Sequence, residues 1–307
     1  MRWPVIGGTR VSVHPGLLPL LAVALWAGMA REVALFFLVL LGHELAHLLL
    51  AAAFDLRITS LEILPFGGVA EVEGLDLADP GVEAAVAMAG PLHNLLWLAI
   101  AVLLRHIGWL AGPRGSFFLL VNAALAVGNL LPGLPLDGGR VARAVLATRQ
   151  GSGPATAALL RVGRGVAAGL ALVGAVLLLR GVLVPGLFIF AFFIWTRARA
   201  EREVARMRPW RELSRRAAGL GRDGVLPVQP LAVEPDLPLR RVVDRFLPRR
   251  YHLLWLVSPG GASVGPWDEA AIWEALRRVG AAARGRDLPA VAPPRAAPPR
   301  DGPPWGS

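Results

Sequence analysis

Residues 33–54 read VALFFLVLLGHELAHLLLAAAF, an apolar run that contains His43, Glu44 and His47. About 20 apolar residues allow one helix to cross a membrane, so the run predicts a membrane span. On a helix, His43 and His47 share a face and can both reach one metal ion, while Glu44 lies beside that face. Ionisable groups are costly at membrane depth and are usually functional there. The pattern therefore predicts a metal centre, with a polar packing cluster of the same side chains as the alternative.

The composition excludes an ordinary soluble protein. Of the 307 residues, 55% are hydrophobic and 18% are charged, whereas soluble domains carry about 25% charged residues. The chain has no cysteine, so a metal ion must be held by histidines and carboxylates. Most of the net charge of +10 lies after residue 196. No nucleic-acid-binding motif accompanies it, so we expect attraction to an anionic membrane surface and no nucleic-acid partner.

The hydropathy pattern predicts a mainly α polytopic membrane protein built as a six-span helical bundle. The candidate spans are residues 12–30, 33–54, 82–104, 116–136, 163–179 and 182–196, and the last two alternatively form one bent segment. Six spans leave most arginines of the connecting segments on one side, with only Arg31, Arg105, Arg114 and Arg180 on the other. Because cytoplasmic loops carry excess positive charge, we expect a multi-pass protein of the cell membrane with both termini in the cytoplasm.

The sequence divides into four predicted segments. They are a transmembrane domain at 1–196, a charged linker at 197–224, a small α/β domain at 225–280 and a disordered tail rich in Pro and Arg at 281–307. Within the first segment, residues 57–73 carry apolar positions on both sides of a Pro-Phe-Gly-Gly turn. This pattern predicts a short membrane-associated β-hairpin, with a plain amphipathic connector as the alternative.

A catalytic metal centre needs a third protein ligand and an open position. Asp137 is the only carboxylate between Glu83 and Glu201, and it ends a stretch of Pro and Gly that follows the fourth predicted span. That setting makes Asp137 a candidate ligand. The alternative is that its carboxylate caps the helix that begins near Gly138.

Four motifs together resemble one family. They are HELAH at residues 43–47, PFGG at 65–68, GPLHN at 90–94 and LPLDGG at 134–139. In this order they resemble site-2-type intramembrane metalloproteases of peptidase family M50, and they most resemble the bacterial sporulation branch, the stage IV sporulation protein FB-like proteases. The resemblance covers residues 10–200 in round numbers.

The resemblance implies a zinc-dependent intramembrane endopeptidase. One zinc ion per chain would be held by His43, His47 and Asp137, with Glu44 as the general base. Asn129 would lie near the site and contact the substrate or the oxyanion. His93 stands where the family usually has an apolar residue, and we expect it to pack as a neutral imidazole at a helix interface, with a substrate contact as the alternative.

A helical substrate must be extended before its carbonyl can reach a metal, and an exposed strand edge can replace the lost backbone hydrogen bonds. The 57–73 hairpin is the candidate substrate strand, with Phe66, Gly67 and Gly68 as candidates for a gate. The resemblance implies a membrane-associated proprotein as substrate, such as a sporulation sigma-factor precursor, and inhibitory membrane partners. A divalent-metal transporter and an inactive scaffold are the rival interpretations.

Residues 225–280 resemble a single CBS module. Such modules often bind adenine nucleotides and usually work in pairs, so the resemblance implies a regulatory domain that binds ATP or another adenine nucleotide. It also implies a homo-oligomer that forms through this domain. A docking platform for substrate is the alternative.

Overall fold

The computed structural model describes residues 5–6, 9–64, 67–73, 75, 79–216, 226–248 and 250–289. The chain divides into two compact units. The first contains residues 1–212 and 244–248, and the second contains residues 213–243 and 249–307.

Helices form most of the first unit. They are α1 (Leu17–Trp26), α2 (Ala30–Ala53), α3 (Pro80–His106), α4 (Pro113–Leu130), α5 (Asp137–Gln150), α6 (Ser152–Leu179) and α7 (Pro185–Arg216). Among the described residues, α2, α3 and α6 are long and apolar enough to cross a membrane. A membrane protein with several apolar helices is therefore confirmed, while the count of six spans stays a prediction.

Several helix boundaries differ from the predicted spans. The segment predicted at 12–30 contains a helix of only ten residues, which is shorter than a single straight span requires. Helix α6 begins eleven residues before position 163, and α7 continues to Arg216, within the predicted linker. Residues 163–196 belong to two separate helices rather than one bent segment. Hydropathy identified the apolar parts of α6 and α7, but it gave no signal for the polar turns that extend these helices.

A four-stranded sheet accompanies the helices, in the order β1-β2-β3-β4. The strands are β1 (Val5–Ile6), β2 (Thr9–Val13), β3 (Arg57–Leu64) and β4 (Gly67–Glu73). The predicted hairpin is present as antiparallel β3 and β4. The parallel pairing of β2 with β3 was not predicted, because it joins segments 50 residues apart. Strand β4 forms one edge of this sheet.

The loop between α4 and α5 is held by backbone contacts that only glycines permit. A Cβ atom on Gly139 would lie 2.2 Å from the carbonyl carbon of Gly133, and one on Gly163 would lie 2.0 Å from the carbonyl oxygen of Leu134. The amide of Leu134 donates to the carbonyl of Leu159 in α6 at 3.1 Å. These contacts fix the start of α5, which is the position of Asp137.

A buried ion pair joins α5 to α3. Arg143 and Glu83 contact each other, and each side chain is 8% exposed. Because burying a single charge is far more costly than burying a pair, this contact fixes the position of α5 along α3.

We expect Arg143→Met to lower the free energy of unfolding in detergent by about 3–5 kcal/mol, because it leaves the Glu83 carboxylate buried without its partner. Arg149→Met on the same helix is the control, since Arg149 is exposed, and its effect should stay within about 0.5 kcal/mol. The double variant Glu83→Gln with Arg143→Met should recover part of the loss. Equal unfolding curves for the two single arginine variants would contradict this prediction.

The second unit has a β-α-β-β-α order. Its elements are β5 (Val228–Val233), α8 (Leu239–Val243), β6 (Tyr251–Val257), β7 (Ser263–Trp267) and α9 (Glu269–Val279). Strand β5 pairs in parallel with β6, and β6 pairs antiparallel with β7. The fully buried side chains of Leu239, Leu254 and Ile272 form its centre. His252, to which the sequence assigned no role, is also fully buried and hydrogen-bonds Glu269 at 2.7 Å.

The disorder predicted from residue 281 is wrong for residues 281–289. Ala283 and Leu288 are buried, and the amide of Leu239 donates to the carbonyl of Ala283 at 2.8 Å. The amides of Gly285 and Arg286 also donate to the carbonyls of Leu237 and Pro235, so backbone hydrogen bonds that composition does not reveal hold this segment against the unit. Residues 290–307 lie outside the described part of the chain.

Candidate metal centre

Three side chains from two helices meet at one point. His43 and His47 lie on α2, and Asp137 is the first residue of α5. The two Nε2 atoms are 3.2 Å apart, and the Oδ2 atom of Asp137 lies 3.3 Å from that of His43 and 3.2 Å from that of His47. The ligating atoms thus form a nearly equilateral triangle.

The triangle fits a zinc ion. Tetrahedral zinc with ligand bonds of 2.0–2.1 Å places its ligand atoms about 3.3 Å apart. His and carboxylate donors suit this metal, and three protein ligands leave the fourth position open, as catalytic zinc sites do. The residues present therefore fit the ion that the sequence predicts.

The imidazoles are oriented by hydrogen bonds on their other nitrogen. Nδ1 of His47 donates to the backbone carbonyl of Val86 at 2.7 Å, and Nδ1 of His43 lies 3.0 Å from Oδ1 of Asn94. Both partners belong to α3. These bonds turn the Nε2 atoms of both rings towards Asp137.

Gly90 makes room for the two rings. A Cβ atom at this position would lie 2.3 Å from Nε2 of His47 and 2.6 Å from Nε2 of His43. The next residue, Pro91, is fully buried. Proline has no amide hydrogen to donate to the carbonyl four residues earlier in a helix. The Gly-Pro pair therefore lets α3 approach α2 at the level of the ligands.

A cavity of about 480 Å³ opens beside the triangle. Glu44 and Asn129 are half-buried in its wall together with the three candidate ligands. Much of the remaining wall is apolar and comes from α2, α3, α4 and α7, and Val72 of the edge strand β4 also lines it. A carboxylate and a carboxamide thus line the same mainly apolar cavity as the three candidate ligands.

The other predicted residues lie in different settings. Phe66 falls outside the described residues. Gly67 and Gly68 belong to strand β4 and pair with Leu64 and Ile63, so they do not form the turn. This register leaves only residues 65 and 66 between the strands. His93 contacts α2, because a Cβ on Gly42 would lie 2.6 Å from its Nε2 atom, as expected for an imidazole at a helix interface.

Sequence reasoning missed three features of the site. Asn94, the carbonyl of Val86 and the clearance at Gly90 all come from α3, which contributes no candidate ligand. The GPLHN motif contained two of these residues, and its Gly-Pro pair inside an apolar helix was the available signal. Arg140 and Arg197 also line the cavity, and nothing in the sequence linked Arg197 of α7 to the site.

The family model of Peptidase family M50 matches residues 32–110 and 114–170. These segments include α2, α3, α4, α5 and most of α6, and they contain all three candidate ligands.

Two curated relatives resemble parts of the chain. Stage IV sporulation protein FB of Bacillus subtilis is 36% identical over 133 residues, which are 43% of this chain and 46% of that protein. The putative zinc metalloprotease Rip3 of Mycobacterium tuberculosis is 35% identical over 191 residues, 59% of this chain and 48% of that protein. The chain thus spans about half the length of each.

A solved structure has the same fold. The site-2 protease from Methanocaldococcus jannaschii superposes with a TM-score of 0.54 at 24% identity, and the match covers 66% of this chain and 94% of that chain. The family match and the ligand triangle lie in the same part of the chain. The part of the chain that contains the three candidate ligands is thus similar in sequence to peptidase family M50.

Proposed function

We propose that the chain is a zinc-dependent intramembrane endopeptidase that cleaves a membrane-associated protein. The triangle of His43, His47 and Asp137 carries this proposal, because its edges of 3.2–3.3 Å match tetrahedral zinc. The triangle opens onto a cavity among apolar helices. A peptide bond that enters this cavity would meet the candidate ligands, a half-buried carboxylate and a carboxamide.

The residues divide the chemistry between them. Zinc, when bound, supplies Lewis-acid activation of water and of the scissile carbonyl. Glu44 lies one residue after His43, where it accepts a proton from the attacking water and passes it to the leaving amine. Asn129 donates its amide to the carbonyl oxygen as negative charge develops there. The apolar wall excludes bulk water and strengthens both interactions.

The metal content of the detergent-purified protein tests the proposed site. We expect about one zinc per chain in the wild type and in Glu44→Gln, and less than about a tenth of that in His43→Ala and Asp137→Ala, because catalytic zinc depends on all three protein ligands. The control is His106→Ala, since His106 is exposed at the end of α3.

Two results would contradict the proposed site. Wild-type protein without zinc, after purification without chelators, would leave an inactive membrane scaffold as the better interpretation. Zinc that persists in Asp137→Ala would show that another residue is the third ligand.

The edge strand β4 is the proposed docking site for the substrate. Among the described residues it has a partner strand on one side only, and Val72 lies in the cavity wall. Alternate residues of an edge strand direct their amides outwards, where an extended substrate can pair with them. Gly67 and Gly68, the first residues of β4, remain candidates for a gate, as does Phe66, which lies outside the described residues.

Proline substitutions at positions 69, 70, 71 and 72 test this docking. Proline removes one amide donor, so we expect cleavage to fall at alternate positions, those whose amides face outwards, while zinc content stays at about one per chain. Proline at the positions whose amides face β3 should instead lower the stability of the protein, because it removes a hydrogen bond between β4 and β3. Unchanged cleavage in all four variants would contradict the substrate-strand role.

The remaining assignments extend the proposal. Six spans with both termini in the cytoplasm are supported by the distribution of arginines in the sequence. A sporulation sigma-factor precursor as substrate and inhibitory membrane partners are proposed from the likeness to stage IV sporulation protein FB. Co-expression with candidate precursors, with Glu44→Gln as the inactive control, identifies the substrate by its shortened product.

The second unit is the proposed CBS-like regulatory domain. Its β-α-β-β-α order supports the small α/β domain proposed for residues 225–280. We expect the full-length protein to bind a fluorescent adenine nucleotide and to form a homo-oligomer through this unit. If the protein does not bind the nucleotide, and its oligomeric state is the same with and without it, a docking platform for substrate is the better interpretation.

A further inference from the structure

Asn94 is buried directly behind one of the candidate ligands. Its side chain is fully buried on α3, and its Oδ1 atom lies 3.0 Å from Nδ1 of His43. Within the described part of the chain, its Nδ2 atom has no hydrogen-bond partner. A buried amide group without a partner destabilises the folded protein, because its hydrogen bonds to water are lost and not replaced. Packing alone therefore does not account for a polar side chain at position 94, and the contact of Asn94 with His43 indicates a role at the metal centre.

The two histidines differ in how their protonation is fixed. His47 faces the carbonyl of Val86, and a carbonyl only accepts hydrogen bonds, so Nδ1 of His47 must carry the hydrogen. Its Nε2 atom then keeps a free lone pair for a metal. His43 faces a carboxamide, which accepts through oxygen and donates through nitrogen. Only the orientation with oxygen towards His43 leaves the Nε2 atom of that ring able to bind a metal.

We infer that Asn94 is a positioning residue that holds His43 in the metal-binding tautomer by accepting a hydrogen bond from Nδ1. This inference rests on the proposed zinc site. Partners of this kind set the orientation and basicity of a ligating histidine, and their loss typically weakens metal binding 10–100-fold. Asn94 lies on α3 and His43 on α2, so the bond also couples the spacing of these helices to the site.

The test is the zinc affinity of the purified full-length protein, measured by competition with a chelator of known affinity. We expect Asn94→Leu, which is similar in size but cannot accept a hydrogen bond, to weaken zinc binding about 10–100-fold. Asn94→Asp should bind zinc at least as tightly as the wild type, because a carboxylate accepts the same hydrogen bond more strongly. Helix content and thermal unfolding of the zinc-free protein show that each variant is folded.

Asn122→Leu is the matched control. Asn122 is also fully buried, and its amide donates to the carbonyl of Phe118 within α4, away from the ligands. We expect this variant to keep wild-type zinc affinity. An equal loss of affinity in Asn122→Leu and Asn94→Leu would overturn the inference, because it would show a general packing effect.

The remaining outcomes also decide the matter. Wild-type affinity in folded Asn94→Leu, or a loss in Asn94→Asp as large as in Asn94→Leu, would overturn the positioning role. If Asn94→Leu does not fold, the affinity of Asn94→Asp alone decides, since a weaker affinity than that of the wild type contradicts the inference. His43→Ala in the same assay distinguishes failure of the positioning role from failure of the proposed zinc site. Unchanged zinc affinity in His43→Ala would refute the proposed site itself.

Discussion

Glu44→Gln is expected to abolish proteolysis while the protein keeps its zinc. Gln has nearly the same shape as Glu, but its amide cannot accept a proton from water at neutral pH. General acid–base catalysis contributes about 10²–10⁴-fold, so the rate of cleavage should fall by that factor. Glu44 does not belong to the His43, His47 and Asp137 triangle, so metal content should stay at about one per chain. Cleavage of a library of synthetic transmembrane peptides, followed by mass spectrometry, measures the effect.

A second carboxylate in the same cavity wall provides the control for Glu44. Glu201 of α7 is half-buried there, and Glu201→Gln removes a negative charge without touching the candidate ligands. This variant should keep most of the activity. Equal losses in the two variants would mean that cavity charge, rather than proton transfer by Glu44, determines the rate. Undiminished cleavage in Glu44→Gln would remove Glu44 from the mechanism.

Gly90→Ala is expected to be the most damaging substitution outside the ligands themselves. The added methyl carbon would lie 2.3 Å from Nε2 of His47 and 2.6 Å from Nε2 of His43, well inside the contact distance of about 3.5 Å. Both rings would have to move away from the metal position. We expect zinc content to fall below about a tenth of the wild-type value and activity to fall at least 100-fold, the upper end of the loss known for displaced ligand partners.

Gly165→Ala is the matched control for Gly90. A Cβ atom at Gly165 of α6 would have nothing within 4 Å, and alanine favours helix over glycine by about 1 kcal/mol. This variant should therefore keep its zinc and unfold at the same or a higher temperature. Metal content in Gly90→Ala that matches the control would show that α3 can retreat from α2 without harm to the site.

The candidate site was predicted to a large extent from the sequence. The spacing of His43 and His47 on a helix requires that they share a face, and Asp137 stood out because carboxylates are scarce in the apolar region. Asn129 was placed near the site by resemblance and does line the cavity. These residues could be selected from the sequence because the selection depends on local geometry or on the high cost of placing charge in a membrane.

The sequence was less informative about helix lengths and the sheet. The first predicted span contains a ten-residue helix, and α6 and α7 extend into polar sequence. Hydropathy reports which residues avoid water, but helix ends depend on backbone hydrogen bonds that polar residues also make. The parallel pairing of β2 with β3 was missed for a related reason. Strand pairing between distant segments leaves no periodic signal in either strand.

The sequence by itself determined the apolar helices, the helix that carries two candidate ligands and the family resemblance, because apolar runs and i, i+4 spacing are local properties. Only the tertiary structure decided what completes the site. The GPLHN motif of α3 supplies Asn94, which contacts His43, and Gly90, which leaves room for the two imidazole rings. The loop before Asp137 packs closely on Gly163 of α6, where a side chain would not fit. Such features depend on how closely two helices approach. That distance is set by the packing of the whole unit, so no single segment encodes it.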